Sequence, residues 1–184
     1  MHPMLAIACA RRKRPLPMPM IPATAALPCP LWRRLIALVY DLLVVVALVM
    51  VVGLLCQLAT GGQLISTGTR TVIPIWYQLL QGLVVAAYFV SSWRRGGQTL
   101  GMRPWRIQLA RDDGGTPSLP QAVLRVLVAA APLLLLALEP LLGLHTLLWT
   151  LLAVWAGWFA PALFDPRRRA LHDILAATEI RRLD

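Results

Sequence analysis

Lysine is nearly missing from this 184-residue chain: Lys13 stands alone, so almost all positive charge is arginine. Acidic residues are also few, eight Asp and Glu against eighteen Lys and Arg. The three cysteines, Cys9, Cys29 and Cys56, lack the spacing of a metal or redox motif, and Cys56 reads as a small buried hydrophobe. No phosphate-binding loop, nucleophile elbow, HExxH pair or paired cysteines occur. Ser66 and Thr67 have no base nearby in the sequence. These absences argue against an enzyme and leave no cofactor or metal to expect. A net charge of +10 would suggest nucleic acid in a soluble protein. Here the basic residues flank apolar runs instead of gathering on one soluble face, so a nucleic-acid partner is not expected.

Apolar sequence dominates, at 58% of residues and a mean hydropathy of +0.67. Four segments carry it: Leu35–Ala59, Ile73–Ser92, Ala122–Leu138 and Leu141–Phe164. A bilayer needs about 20 apolar residues per helix. Only Glu139-Pro140 separates the last two segments. One continuous helix there would be about twice the hydrocarbon thickness, so a tight turn at Glu139-Pro140 is expected. The fold class is therefore an all-α membrane protein of four transmembrane helices. The alternative makes Ala122–Leu138 a re-entrant or interfacial helix.

Basic residues set the orientation. Six precede the first segment, one (Arg70) follows it, five lie between the second and third, none between the third and fourth, and five follow the fourth. This alternation is the positive-inside pattern for four spans with both termini cytoplasmic. Residues 1–30 read as a disordered tail, with seven prolines and the basic cluster Arg11–Arg14. Met18 and Met20 stay open as later start sites. Residues 31–182 read as the membrane domain.

Between the second and third segments the loop is polar and glycine-rich. Ile107-Gln108-Leu109 alternates like a short strand, and Asp112–Gly115 reads as a tight turn, giving a hairpin-like loop. After Phe164, Asp165 reads as an N-cap with Pro166 at the first helical position. A C-terminal amphipathic helix is expected there, with Arg167, Arg168 and Arg169 facing anionic lipid headgroups.

Asp41 lies inside the first apolar segment. A carboxylate there costs roughly 2.5–3.5 kcal/mol on insertion scales, so it faces a partner or a water-filled cavity. Arg34 stands seven residues earlier on the same helix face. Asp41 reads equally as a proton or cation carrier and as half of a structural ion pair. Arg125, near the start of the third segment, lies at a similar depth and is the expected partner, with Arg34 competing. His145 suits a proton relay but more readily a satisfied interfacial side chain, and Glu139 a solvated turn. His172 and Asp173 point in different directions on a helix, which disfavours a ligand pair. Gly97 and Gly101 have GxxxG spacing outside any apolar span, a weak dimer signal. Trp32, Trp76, Trp93 and Trp105 read as interface anchors, and Trp149, Trp155 and Trp158 as packing.

These residues together resemble the RDD family of small bacterial membrane proteins. In LWRRLIALVYDLL the family's arginine, small residue and aspartate fall at Arg34, Ala37 and Asp41. Gly97-Gln98-Thr99-Leu100-Gly101 followed by Met102-Arg103 is similar to the family's GxTxG-type stretch, and Arg125 to its arginine opening the next span. The closing DPRRRALHDILAATEI makes Asp173 the second aspartate, with Asp165 as runner-up. The tripeptide Arg111-Asp112-Asp113 spells the initials by coincidence. The resemblance covers about residues 31–182 and implies a multi-pass protein of the bacterial inner (plasma) membrane. Asp173 is expected to complete a cytoplasmic-side cluster of Arg34, Asp41, Arg125 and Asp173, meeting Arg34, because the tail must return under the first span. A small transporter or cation/proton exchanger is implied, with a homo-oligomer expected because four short helices hardly enclose a pathway. The alternative is a structural or accessory protein binding a partner or lipids.

Overall fold

The computed structural model describes residues 29–62, 66–67 and 71–183. The expected disordered tail falls almost wholly on residues 1–28, outside the described residues, as does Arg70.

Among the described residues, four stretches are long and apolar enough to cross a membrane: Leu31–Ala59, Ile75–Gly96, Leu119–Leu142 and Leu144–Phe164. The first is one helix, α1 (Leu31–Ala59), which begins after Pro30 and so takes Arg33 and Arg34 into its first turn. A short antiparallel pair, β1 (Ser66–Thr67) and β2 (Thr71–Val72), leads to α2 (Ile75–Gly96). Helices α1 and α2 meet at Gly53, where a Cβ would come within 2.8 Å of the Tyr77 hydroxyl. Gln81 Nε2 there donates to the Val49 carbonyl (3.1 Å) and the Tyr77 oxygen (2.7 Å).

The third span is built from three pieces, and its prolines say why. Helix α3 (Leu119–Ala130) opens on a capping box: Ser118 Oγ accepts from the Gln121 N–H, and Gln121 Oε1 accepts from the Ser118 N–H. Pro132 has no N–H for the Val128 carbonyl four residues back. That carbonyl instead accepts from the Ala131 N–H and from Trp158 Nε1 (3.2 Å) on the fourth span. The chain tightens into a 3-10 stretch over Ala131–Leu138, then resumes as α4 (Glu139–Leu142), with Pro140 in its first turn. The turn expected at Glu139-Pro140 therefore falls three residues later. Proline is tolerated in a first turn. Gly143, at φ 73° and ψ 151°, makes the break before α5 (Leu144–Phe159), which α6 (Pro161–Phe164) extends.

The tail departs from expectation. Asp165 is extended (φ −73°, ψ 128°) and caps no helix. Its carboxylate accepts from the Arg169 N–H and guanidinium, both 2.9 Å, closing a turn in which Arg168 is left-handed at φ 54°. Only α7 (Leu171–Leu175) is helical. The chain then forms β4 (Thr178–Arg182), antiparallel to β3 (Ile107–Arg111), with Leu109 opposite Ile180 and Arg111 opposite Thr178. A lone strand leaves its backbone groups unpaired, so the alternating β3 takes the tail as its partner. The turn at Asp112–Gly115 is present: the Gly114 N–H donates to the Arg111 carbonyl (2.8 Å).

The spans bury little of themselves, from none to 17% of each apolar window. The packed core lies at one end, where the loop and tail form a cap. It comprises Cys29, Ala37, Trp93, Met102, Ile107, Leu109, Ala122 and Ile180. Trp93 is thus a core residue and no interface anchor. Trp149 turns outward at 62% exposure, so it is not packing within the chain, while Trp158 ties the third and fourth spans.

Gly143→Ala tests the break between the third and fourth spans. That conformation is essentially glycine-only, and forcing alanine into it costs roughly 1–3 kcal/mol. The variant is expected to lower the thermal midpoint in detergent, whereas Gly157→Ala, in open helical space, should not.

Candidate functional site

The sequence brings four charged residues to the capped end, but in two groups. Arg34, Ala37 and Asp41 recur at helical spacing on one face of α1 and are its buried residues. That face is the seat of the cap.

Arg34 receives the tail. Its guanidinium donates to Asp173 (3.2 Å) and to the Ile180 carbonyl (3.3 Å). Arg125, from α3, donates to the other oxygen of Asp173 and to Thr178 Oγ1 (3.0 Å), and lies over the Trp93 ring at 5.1 Å. Asp173 also accepts from the Ala170 N–H (3.0 Å), which fixes the start of α7. All three charges are buried, Asp173 completely. Burial alone would raise the Asp173 carboxyl, but Arg125, then His172 and Arg34, outweigh it and hold it below the usual carboxylate range. Removing one partner of such a pair typically costs 3–5 kcal/mol, because the other charge stays buried.

Asp41 receives the loop. Its two oxygens accept from the Thr99 hydroxyl (2.5 Å), the Gly101 N–H (2.9 Å) and the Tyr88 hydroxyl (3.0 Å). The Tyr88 oxygen in turn accepts from the Leu100 N–H (3.1 Å). Glycine at 101 and alanine at 37 permit this approach: a Cβ on Gly101 would meet the Ala37 carbonyl at 2.4 Å. Gly97, left-handed at φ 67°, ends α2 and accepts from the Leu109 N–H (2.7 Å), tying the loop to β3.

The expected pair of Asp41 with Arg125 does not form. The carboxylate that joins the first and third spans is Asp173, and among the described residues Asp41 has only uncharged donors. Asp165 stands apart from both groups, paired with Arg169. His145 is exposed and accepts from Trp149 Nε1 (3.2 Å), and Glu139 is exposed. His172 comes closer to Asp173 than separate directions imply, Nε2 to Oδ1 at 3.7 Å, with its ring edge-on to Phe159. Tyr88 is a site residue that escaped sequence reading: it shares the charge-free second span with Tyr77, and nothing in the sequence marks which phenol reaches Asp41. Of the arginines expected to face lipid, Arg167 lies near Asp112 and Glu179, and Arg169 near Asp112 and Asp165. Among the described residues no group of His, Cys, Asp and Glu is placed to hold a metal ion.

Four apolar spans with an ion-paired cap define a multi-pass membrane protein. The RDD family matches residues 28–177, and the chain belongs to that family. Neither a curated protein nor a solved structure matches the chain.

His172 gives the site a pH signature. Burial first, then Arg125, lowers its pKa from 6.5 to about 4. The folded state thus prefers neutral His172, and below pH 6.5 the unfolded chain binds the extra proton. Stability is complete above about pH 6.5 and is lost as pH falls toward 4. The shift is worth roughly 3 kcal/mol at most. Thermal midpoints measured from pH 7 to 4 should fall through this window and flatten in His172→Gln. An unchanged slope in the variant would assign the loss to other groups.

Proposed function

We propose that this chain is an accessory membrane protein whose four spans carry a rigid cap, and that its buried charges fasten the cap and carry no ion. The observation behind this reading is that the chain itself engages each buried charge. Arg34 and Arg125 both pair with Asp173, and Asp41 is closed by three donors from the loop and α2. No residue is assigned a catalytic role. The positive-inside count supports a cytoplasmic cap in a bacterial inner membrane, with both termini on that side. Outward apolar surfaces on all four spans support contact with lipid, a partner helix or a second copy.

One observation favours a second reading, a small cation/proton exchanger. Asp41 is a buried carboxylate in a span, and its donors are two hydroxyls and an amide. Such a group can exchange a proton for a hard cation without separating an ion pair.

Reconstituted full chain in proteoliposomes, under a pH gradient with sodium or potassium, separates the two. The accessory reading expects proton flux no greater than in protein-free vesicles. Cation-dependent flux that Asp41→Asn abolishes, with the protein still folded, would overturn it in favour of exchange. Cysteines introduced at Gly62 and Glu139 should label from outside and one at Gly114 only from inside. Outside labelling at 114 would reverse the orientation.

A further inference from the structure

An open cleft of about 230 Å³ lies where α2 ends and the following loop folds back. Ser91, Ser92 and Arg95 line it from the helix, and Gln98, Leu100 and Arg103 from the loop. The loop is two-sided. Thr99 and Gly101 turn inward to Asp41, while Gln98 and Leu100 alternate with them and face the cleft. Both walls are held by directed bonds. Gln98 Nε2 donates to the Ile107 carbonyl (2.8 Å), the Leu100 N–H to the Tyr88 hydroxyl (3.1 Å), and Ser91 Oγ to the Tyr88 carbonyl (3.1 Å). The Gly96 carbonyl, which would repel an anion, already accepts from Gln108 Nε2 (3.1 Å).

Charge sets this cleft apart from the rest of the cap. On the tail side arginines have carboxylates: Arg111 meets Asp113, Arg167 and Arg169 meet Asp112, and Arg181 meets Glu179. Arg95 and Arg103 are exposed and form no hydrogen bond or ion pair with any described residue. No described carboxylate and no described residue of the tail lines the cleft. Outside the described residues the chain has one acidic side chain, Asp184. A strip of α2 leads to the cleft: Leu79, Leu83, Ala87, Ser91 and Arg95 recur every four residues, and all are exposed. The strip turns from apolar to polar at the last turn of the span, the level of lipid headgroups.

We propose that this cleft binds a phosphate group, supplied in the membrane by the headgroup of an anionic phospholipid. Guanidiniums match phosphate oxygens in a planar, bidentate geometry, and both here are open to a ligand. They come from two elements, eight positions apart, so they close on the phosphate from two sides. The Ser92 hydroxyl, without a partner among the described residues, is a further donor. The apolar part of the strip, Leu79 to Ala87, is the path for an acyl chain. Basic pockets beside spans are a recurring form of headgroup recognition. The site differs from the lipid contact expected at Arg167–Arg169, and it stands whether or not the chain carries ions.

The test uses delipidated full chain in neutral detergent. Binding of phosphatidylglycerol, phosphatidylcholine and inorganic phosphate is measured at equal ionic strength. Saturable phosphatidylglycerol binding is expected. Phosphatidylcholine, whose own cation the arginines repel, should bind about tenfold more weakly. Equal binding of the two lipids, or no saturable binding of either, would overturn the site. Arg95→Gln and Arg103→Gln should each weaken phosphatidylglycerol about tenfold, the size of one lost charge-assisted hydrogen bond. Both side chains are exposed, so both variants are expected to fold, and either one decides. Arg168→Gln removes an equal charge from the exposed tail and should leave binding unchanged. Equal weakening by all three variants would mean general surface charge and would overturn the site. Asp184→Asn should also change nothing. Tighter binding in that variant would show that the tail's own carboxylate competes for the arginines, and would overturn an open site. Inorganic phosphate binding as tightly as the lipid would overturn the lipid source while keeping the phosphate chemistry.

Discussion

One carboxylate, Asp173, is shared between two guanidiniums from different spans, and the rest of the capped end depends on it. Its site is closed to solvent, so each of the three charges would be costly without the others. Two positive charges meet one negative one. The surplus is offset by the Ile180 carbonyl, Thr178 Oγ1 and the Trp93 face. Two of these acceptors belong to β4, so the ion triad positions the strand. The strand then pairs with β3, β3 holds Gly97, and the loop from Gly97 reaches Asp41. The two charge groups on α1 are the two ends of one chain of contacts.

This explains why the packed core lies at the end of the bundle. Apolar spans gain little from burying one another when the surrounding lipid is equally apolar. The α1–α2 contact accordingly relies on a close approach at Gly53 and on Gln81 hydrogen bonds, and the third and fourth spans on Trp158 and the Val128 carbonyl. At the cap, polar groups and apolar side chains are buried together, and the chain there is held in a single arrangement by directed bonds. The motif residues Arg34, Ala37 and Asp41 all serve that seating.

Long apolar runs made the four spans legible, and helical spacing put Arg34 and Asp41 on one face. The alternation of Ile107, Gln108 and Leu109 revealed β3. Its partner was hidden, because Thr178–Arg182 follows a stretch whose Asp-Pro start imitates a helix cap. Local propensity supports either outcome there, and the open edge of β3, 67 residues away in sequence, decides between them. The return of the tail under the first span made Asp173 beside Arg34 legible, and the two pair at 3.2 Å; the partners of Asp41 and Arg125 were hidden for a similar reason. Depth along a helix ranks Arg125 beside Asp41, but which carboxylate reaches which arginine depends on where the loop and tail fold back. Gly143 was the other miss: proline draws attention as a helix breaker, yet Pro140 sits harmlessly in a first turn and the glycine makes the break.

The central claim is that Asp173 holds the cap on the helices. Amide hydrogen exchange of the full chain in detergent, wild type against Asp173→Asn, tests it most directly. The account predicts that protection of residues 107–111 and 178–182 falls by more than about tenfold, while the middle of α1 and α2 stays protected. Unchanged protection of both strands would show that the cap stands without the ion triad and would contradict the account.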